Sequence, residues 1–330
     1  MEKHKTTIPR KFILSFLLLS GVCLLTTIAL WAAFRANPVM ATPIPAPDPL
    51  PATDIIYEGA AYLGFINADG SGKTIVRFSI SQKTILSAWG QPFIIGDPAV
   101  LVVTNGIMIP GDVYVTRPGQ IAVDCGWWGM PSPASDGRHI LLKTSQGQEK
   151  YLPDDCGTGN PPRKVYSGVF GPISADGEYA ADFKTGIVEN ITDPLVIRNL
   201  STGEERIIGD GAFPVWSRDG QWLAYTGSDG IYVTQNSPNA VPRRLVVLEF
   251  PHPEIGRKLY TVDTAGLYYP PIASWSPDGK WLVYHEYDVD SNAKYPKQYS
   301  IFLVSVETGE ITKLVDDGLF PQWRWPVEKP

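Results

Sequence analysis

Residues 213–234 read FPVWSRDGQWLAYTGSDGIYVT. Trp216 and Ser217 close one short apolar run, and Asp219-Gly220 supplies a tight polar turn. Trp222, Leu223, Ala224 and Tyr225 form a second run, Ser228-Asp229-Gly230 turns again, and Ile231-Tyr232-Val233 opens a third. Short β-prone runs joined by Asp-Gly turns predict an antiparallel meander. The stretch recurs. Residues 275–284 (WSPDGKWLVY) repeat its first half nearly residue for residue, and residues 174–181 (SADGEYAA) and 135–142 (SDGRHILL) are fainter copies.

Repeats of this length predict supersecondary units that bury their apolar faces only against neighbouring copies. The W-S-x-D-G-x-W-L-x-Y pattern, followed by an I-Y-V-type strand and a Thr-Gly-Glu turn, resembles the repeat of TolB-type β-propellers, distant relatives of WD-repeat propellers. The best matches are residues 216–233, 275–284 and 301–314 (IFLVSVETGEITKL), and residues 62–76 also fit, with Asn67-Ala68-Asp69-Gly70-Ser71-Gly72 at the turn. The resemblance covers most of residues 57–325, weakest over 85–165. It implies an all-β fold and is nearly silent on function, because one fold hosts many sites.

An aromatic residue before a turn marks the inner strand of each unit at Trp89, Trp128, Phe170, Trp216, Trp275 and Trp323, with spacings of 39, 42, 46, 59 and 48. Residues 320–324 (FPQWR) copy residues 213–217 (FPVWS), yet the sequence runs only six residues further. Residues 54–80 supply outer strands with no inner strand before them. The economical expectation is a six-bladed β-propeller in which the C-terminal strand completes the N-terminal blade. A seventh blade within 80–165 is the alternative.

The apolar segment 12–34 holds 23 residues without a charge, 13 of them Leu, Ile, Val or Phe. As a helix it spans about 34 Å, against a hydrocarbon core of about 30 Å. Lys3, Lys5, Arg10 and Lys11 precede it and only Arg35 follows closely, so the positive-inside rule puts the N-terminus in the cytoplasm. The expected organisation is a basic cytoplasmic tail (1–11), a transmembrane signal-anchor (12–34), a Pro-rich semi-rigid linker (35–53) and an extracytoplasmic propeller (54–330). Val39-Met40-Ala41 keeps open a signal peptide cleaved near Ala41 and a secreted product. Beyond residue 36 there are 23 basic against 33 acidic residues, which argues against a nucleic-acid partner.

Asp accepts local backbone hydrogen bonds and Gly adopts positive φ, so the Asp-Gly pairs read as turn structure and not as catalytic acids. Trp222 and Trp281 read as core between blades. In a meander, alternate connections share an end. The Asp-Gly and Thr-Gly-Glu turns are expected at one end, and the long connections 151–168, 247–272 and 287–299 at the other. Loops on a rigid scaffold commonly bind. The candidate binding loop carries Phe250, His252, Tyr260, Tyr268 and Tyr269 among prolines, a mixture suited to recognition. The competing reading folds these aromatics back onto the propeller rim.

Cys125 and Cys156 are the only cysteines outside the apolar segment. Export makes a disulfide between them the favoured reading over two free thiols, expected near blade-to-blade connections at the long-loop end. His139 (in a strand), His252 and His285 (at a strand end) show no metal-site spacing, and no G-x-S-x-G nucleophile elbow occurs. Asp288, Asp290 and Asn292 alternate like calcium ligands, but Ala293 stands where the EF-hand loop needs Gly, so a solvated hairpin tip is favoured over calcium. Asn190-Ile191-Thr192 and Asn199-Leu200-Ser201 are glycosylation sequons, meaningful only in a eukaryote.

Two function classes remain. One is a non-catalytic binding module that docks a protein or peptide through the long-loop face. This is what the TolB resemblance implies, although the α/β domain that precedes the propeller in TolB is replaced here by a spacer. The other is an enzyme or carbohydrate binder with a site in the propeller channel. The inner-strand segments supply mostly Trp, Pro, Gly and Ser, which favours binding. No cofactor is implied, and the partner and oligomeric state are left open.

Overall fold

The computed structural model describes residues 53–59, 62–77, 92–95, 100–104, 111–117, 123–134, 136–183, 193–247, 261–263, 266–268, 271–287 and 299–324. The chain divides into two units, 1–42 and 43–330, and all described residues belong to the second. The apolar segment 12–34, the linker up to residue 52 and Trp89 lie outside them. Among the described residues no helix is long and apolar enough to cross a membrane.

The described residues are predominantly β. Six consecutive antiparallel ladders follow the chain, here numbered as units one to six. Unit one comprises Ile55–Gly59, Tyr62–Ile66 and Thr74–Arg77, with the C-terminal strand Leu319–Trp323 paired onto Ile55–Gly59 (Ile55 opposite Trp323). The expectation that the last strand completes the first sheet holds. Unit two is Phe93–Ile95, Val100–Thr104, Gly111–Thr116 and the first part of Val123–Pro133. That long strand then crosses into unit three, where its end pairs with Ile140–Thr144, followed by Gly147–Tyr151 and Lys164–Ser167.

Unit four is Tyr179–Phe183, Pro194–Asn199 and Glu205–Asp210, with Ile173 bridged to Ala180 in the first-strand position. Unit five is Ala212–Trp216, Trp222–Gly227, Gly230–Gln235 and Arg243–Val247. Unit six is Ala273–Trp275, Trp281–Tyr287, Tyr299–Ser305 and Ile311–Val315. Between units five and six, Thr261–Asp263 and Gly266–Tyr268 pair as a separate hairpin.

The repeated S-x-D-G motif builds the same turn three times. In unit five Ser217 Oγ donates to Asp219 Oδ1 (2.5 Å), Trp222 N donates to Ser217 Oγ (2.9 Å) and Gln221 N to Asp219 Oδ1 (3.0 Å). Ser276 with Asp278 and Ser174 with Asp176 reproduce it. Gly220 closes the turn at φ 68°, a region that costs a side-chain-bearing residue about 1–2 kcal/mol.

Alternate residues bury against neighbouring units, and each unit packs on the next. Apolar clusters join one to two, two to three, three to four, four to five and five to six, and another joins six to one. First-strand tryptophans add hydrogen bonds across these joints. Trp216 Nε1 donates to Pro172 O and Trp275 Nε1 to Val215 O, both at 2.9 Å. Trp222 and Trp281 are half-buried and flank the five-to-six and six-to-one clusters respectively.

Four expectations are corrected. Trp128 is not an inner-strand residue: it pairs with Asp112 on the fourth strand of unit two and is 63% exposed. Strand alternation explains this, because its neighbour Trp127 takes the buried register and stacks on Tyr151 at 4.3 Å. The connection 152–163 joins the third and fourth strands of unit three, so it lies at the short-turn end and not with the long connections. The Ser228-Asp229-Gly230 turn joins the second and third strands of unit five and therefore falls at the long-connection end. His139 sits in the turn just before Ile140–Thr144, while His285 lies inside Trp281–Tyr287 and is fully buried.

Candidate functional site

The long-connection end gathers the starts of the first strands. Phe213 and Phe320 occupy the same repeat position, each followed by Pro, and each has positive φ (52° and 47°). In both units the register slips there, so a Phe-Pro pair faces one residue, Tyr225 or Tyr57. This β-bulge puts a bulky residue where glycine is usual. Each Phe stores strain on the order of 1–3 kcal/mol. Buried Phe320 and Ile272 pack with half-buried Phe213, Tyr299 and Leu319, bringing the first strands of units five, six and one together. His285 lies edge-on to Tyr299 (5.6 Å) and Phe320 (5.2 Å) beneath them.

Of the candidate loop, Phe250, His252, Tyr260 and Tyr269 lie outside the described residues. The backbone of Tyr268 lies in the separate hairpin, opposite Thr261. Asp288, Asp290 and Asn292 also lie outside. Among the described residues no group of three or more His, Cys, Asp or Glu converges as a metal site.

Cys125 and Cys156 form a disulfide. Cys125 lies near the start of Val123–Pro133, the fourth strand of unit two, and Cys156 follows the turn Pro153–Asp155 in the 152–163 connection, so the bond staples two units at the short-turn end and not, as expected, at the long-loop end. Buried Asp155 holds the same connection. It accepts from Arg163 Nη2 (2.7 Å) and Nε (3.1 Å), from Leu152 N and from Asn160. Burial works to raise its carboxyl, but these donors overcome it and hold it below the usual range.

Unit three departs from the turn motif. Ala134 stands where the other copies have Ser, so Asp136 has no hydroxyl to accept from. Its Oδ2 instead takes His139 Nδ1 (2.9 Å) and Lys150 Nζ (2.6 Å). Burial again works to raise this carboxyl, and the His139, Lys150 and Arg138 N bonds more than reverse it.

The joint between units three and four is the polar one. At the second-strand position that holds buried Tyr57, Tyr225 and Tyr284 in units one, five and six, unit four holds Asp182, 1% exposed. Burial pushes the Tyr57 phenol up to about 12, assisted by Asp317, and raises Tyr225 and Tyr284 as well. Asp182 Oδ2 accepts from Phe170 N (3.3 Å) and lies 3.8 Å from Arg198, which is also paired with Glu205. From unit three, the cross-strand neighbours Lys143 and Gln148 share this joint. Gln148 Nε2 donates to Gly171 O (2.6 Å) across it. Burial pulls the Lys143 ammonium below its usual range against the opposing field of Asp182. Sequence reading missed these residues. The signal was present, since YAAD at 179–182 aligns with WLAY at 222–225 and WLVY at 281–284.

TolB from Acinetobacter baumannii superposes with a TM-score of 0.52 at 14% identity, over 83% of this chain and 67% of that one. The fold is TolB-like. A chain of a nidogen/laminin complex matches with a TM-score of 0.51 at 12% identity, over 83% of this chain and 99% of that one. A putative TolB from Agrobacterium tumefaciens aligns at 17% identity, over 80% and 90%, with a TM-score of 0.48. No protein-family model matches the chain, and no curated protein sequence matches it. At these identities the likeness speaks to fold alone.

Proposed function

We propose that the chain is a non-catalytic six-bladed β-propeller, anchored by residues 12–34 and held outside the cytoplasm, that recruits a protein or peptide through its long-connection end. The observation that carries this is the cluster of Phe213, Ile272 and Phe320. Two of the three are held at positive φ, although unit six makes an unbulged first strand at the same position. Strain repeated where the fold does not require it is a mark of a functional surface. The candidate loop emerges from Arg243–Val247 and returns at Ile272, directly into this cluster. Six ladders with a sixth-to-first packing cluster and a shared terminal sheet support the propeller. The disulfide suits an oxidising compartment.

The test is photo-cross-linking in cells from position 268 of the full anchored chain. A discrete adduct that soluble residues 44–330 compete away is expected, and it should vanish when Phe213 and Phe320 are both replaced by Gly in a folded protein. An adduct that ignores both the competitor and the replacement would overturn the reading.

A further inference from the structure

We propose that Leu319–Trp323, the first strand of unit one, exchanges between two copies of this chain, each copy's strand pairing with Ile55–Gly59 of the other in a reciprocal dimer. This goes beyond the partner-docking reading and holds without it. In the exchanged form the cluster of Phe213, Ile272 and Phe320 becomes composite, because its Phe320 comes from the second copy.

The first observation is a seam inside unit one. Its first strand is joined to unit six through Asp316-Asp317-Gly318 alone, whereas its second strand, Ile55–Gly59, stands far earlier in the sequence. Only non-covalent contacts hold these two strands together. Their ladder has three register pairs, Ile55 with Trp323, Ile56 with Gln322 and Glu58 with Leu319, interrupted by the bulge at Phe320 and Pro321. Pro321 has no N–H to contribute. When the strand leaves, Ile55–Gly59 becomes an open edge that templates another strand. A second copy supplies the one strand that is complementary at every position.

The second observation is that this strand is mated less completely than its sisters. Trp216 and Trp275 each send the indole N–H to a first-strand carbonyl of the preceding unit. Trp323 holds the same repeat position and is only 5% exposed, yet its Nε1 donates to nothing among the described residues. In the same apolar cluster the Tyr57 hydroxyl is also buried without a hydrogen-bond partner among them. Both groups regain water when the strand departs, which lowers the barrier to opening. Phe320 releases its backbone strain in the same step.

The third observation is the hinge. Gly318 N donates to Tyr299 O and Tyr62 Oη donates to Asp317 O, both at 2.9 Å, so the connection is tied to unit six and to unit one. A Cβ on Gly318 would stand 2.7 Å from Tyr57 and 2.8 Å from Ile301. Short, crowded hinges favour exchange, because handing the strand to a neighbour lets the connection straighten. All other contacts of the strand re-form in trans. The dimer therefore differs from the single copy in the hinge and in the entropy of association, and its share rises with concentration.

The experiment is disulfide trapping between two differently tagged full-length copies, one carrying Glu58→Cys and the other Leu319→Cys. They are mixed in detergent over a range of concentrations, oxidised, and read by non-reducing gel and mass spectrometry of the linked peptides. A link between positions 58 and 319 across the two tags is expected, its share rising roughly tenfold per tenfold rise in concentration while the dimer is the minor form. Inserting Gly-Ser-Gly-Ser after Asp317 should suppress it severalfold. Both substitutions in one copy should link within that copy, which shows that the variants fold with the native pairing, and Ile56→Cys with Gln322→Cys repeats the test at the next register pair. Ile311→Cys, 46% exposed and not paired with Ile55–Gly59, replaces Leu319→Cys as the control for chance encounters. The proposal is overturned if links form within copies but not across them, if the cross-copy link ignores concentration or the hinge insertion, or if Ile311→Cys links to position 58 as readily. Failure of both pairs to link even within one copy removes the strand pairing and the proposal with it.

Discussion

The joint between units four and five and the joint between units three and four are built from the same repeat positions and solved in opposite ways. At four-to-five, Ala181, Leu195, Ile197 and Ile208 meet Trp216, Leu223 and Tyr225 in one apolar cluster, and an indole N–H ties the two first strands. At three-to-four, the apolar part stops at Leu141, Tyr166, Val169, Ile173 and Ala180. Beyond it stand Lys143, Gln148, Asp182 and Arg198. The dry joint supplies cohesion. The wet joint buries hydrogen-bonding groups, among them Gln148 Oε1, which accepts nothing among the described residues, and such exceptions in a repeat are where function is usually found.

Exchanging the two solutions should break the comparison most sharply. Tyr225→Asp buries a carboxylate in an apolar wall where Arg244, on the same face, is already paired with Asp229, and it removes the ring that stacks on Tyr232 at 5.4 Å. A loss of about 4 kcal/mol is expected in urea unfolding, and a loss under half of that would show that the dry joint tolerates charge. Next comes the staple. Cys125→Ser opens a loop whose ends are 31 residues apart, and the chain-entropy account predicts a loss of about 3.5 kcal/mol. An unchanged unfolding midpoint would mean that Asp155 and Arg163 hold the 152–163 connection unaided.

A smaller effect separates the turn of unit three from its copies. Ser276→Ala removes the hydroxyl that bridges Asp278 and Trp281 N, with an expected loss of about 1–2 kcal/mol. Ala134→Ser should gain little, because Asp136 is already occupied by His139 and Lys150. The smallest effect is acid sensitivity. The folded-state carboxyls of Asp136 and Asp155 lie below their unfolded values. Their contribution is therefore complete above an unfolded pKa of about 4 and is lost as pH falls below it. Unfolding midpoints compared at neutral pH and below pH 4 should draw closer together in Asp136→Asn. An equal drop in parent and variant would remove Asp136 from the account.

Much of the fold was legible because its signals are local. An Asp-Gly turn, the Ser two residues before it and the Trp two residues after it lie within six residues, and each stretch spells out its own hairpin. The pairing of residues 319–323 with 55–59 was also readable, since FPQW at 320–323 repeats the first-strand FPVW at 213–216. What failed was the assignment of ends. Trp128 looks like its counterparts, but a strand that serves two units has no turn to mark the crossing, and only the Trp127–Tyr151 stack sets the register. The polar joint was harder still. Lys143, Gln148 and Asp182 are ordinary strand residues until two non-local walls face each other, and a single substitution in a degenerate motif, Asp for Tyr, is its only trace in the chain.

The shared terminal sheet has a consequence for biosynthesis. Unit one receives its first strand from Leu319–Trp323, so Ile55–Gly59 waits for a partner far later in the chain. Until then Ile55–Gly59 has an unpaired edge and units one and six lack the Trp323 contact between them. Completing this sheet therefore waits on a contact between segments far apart in the chain, and a variant lacking Leu319–Trp323 would keep the other strands of unit one and leave that edge unpaired.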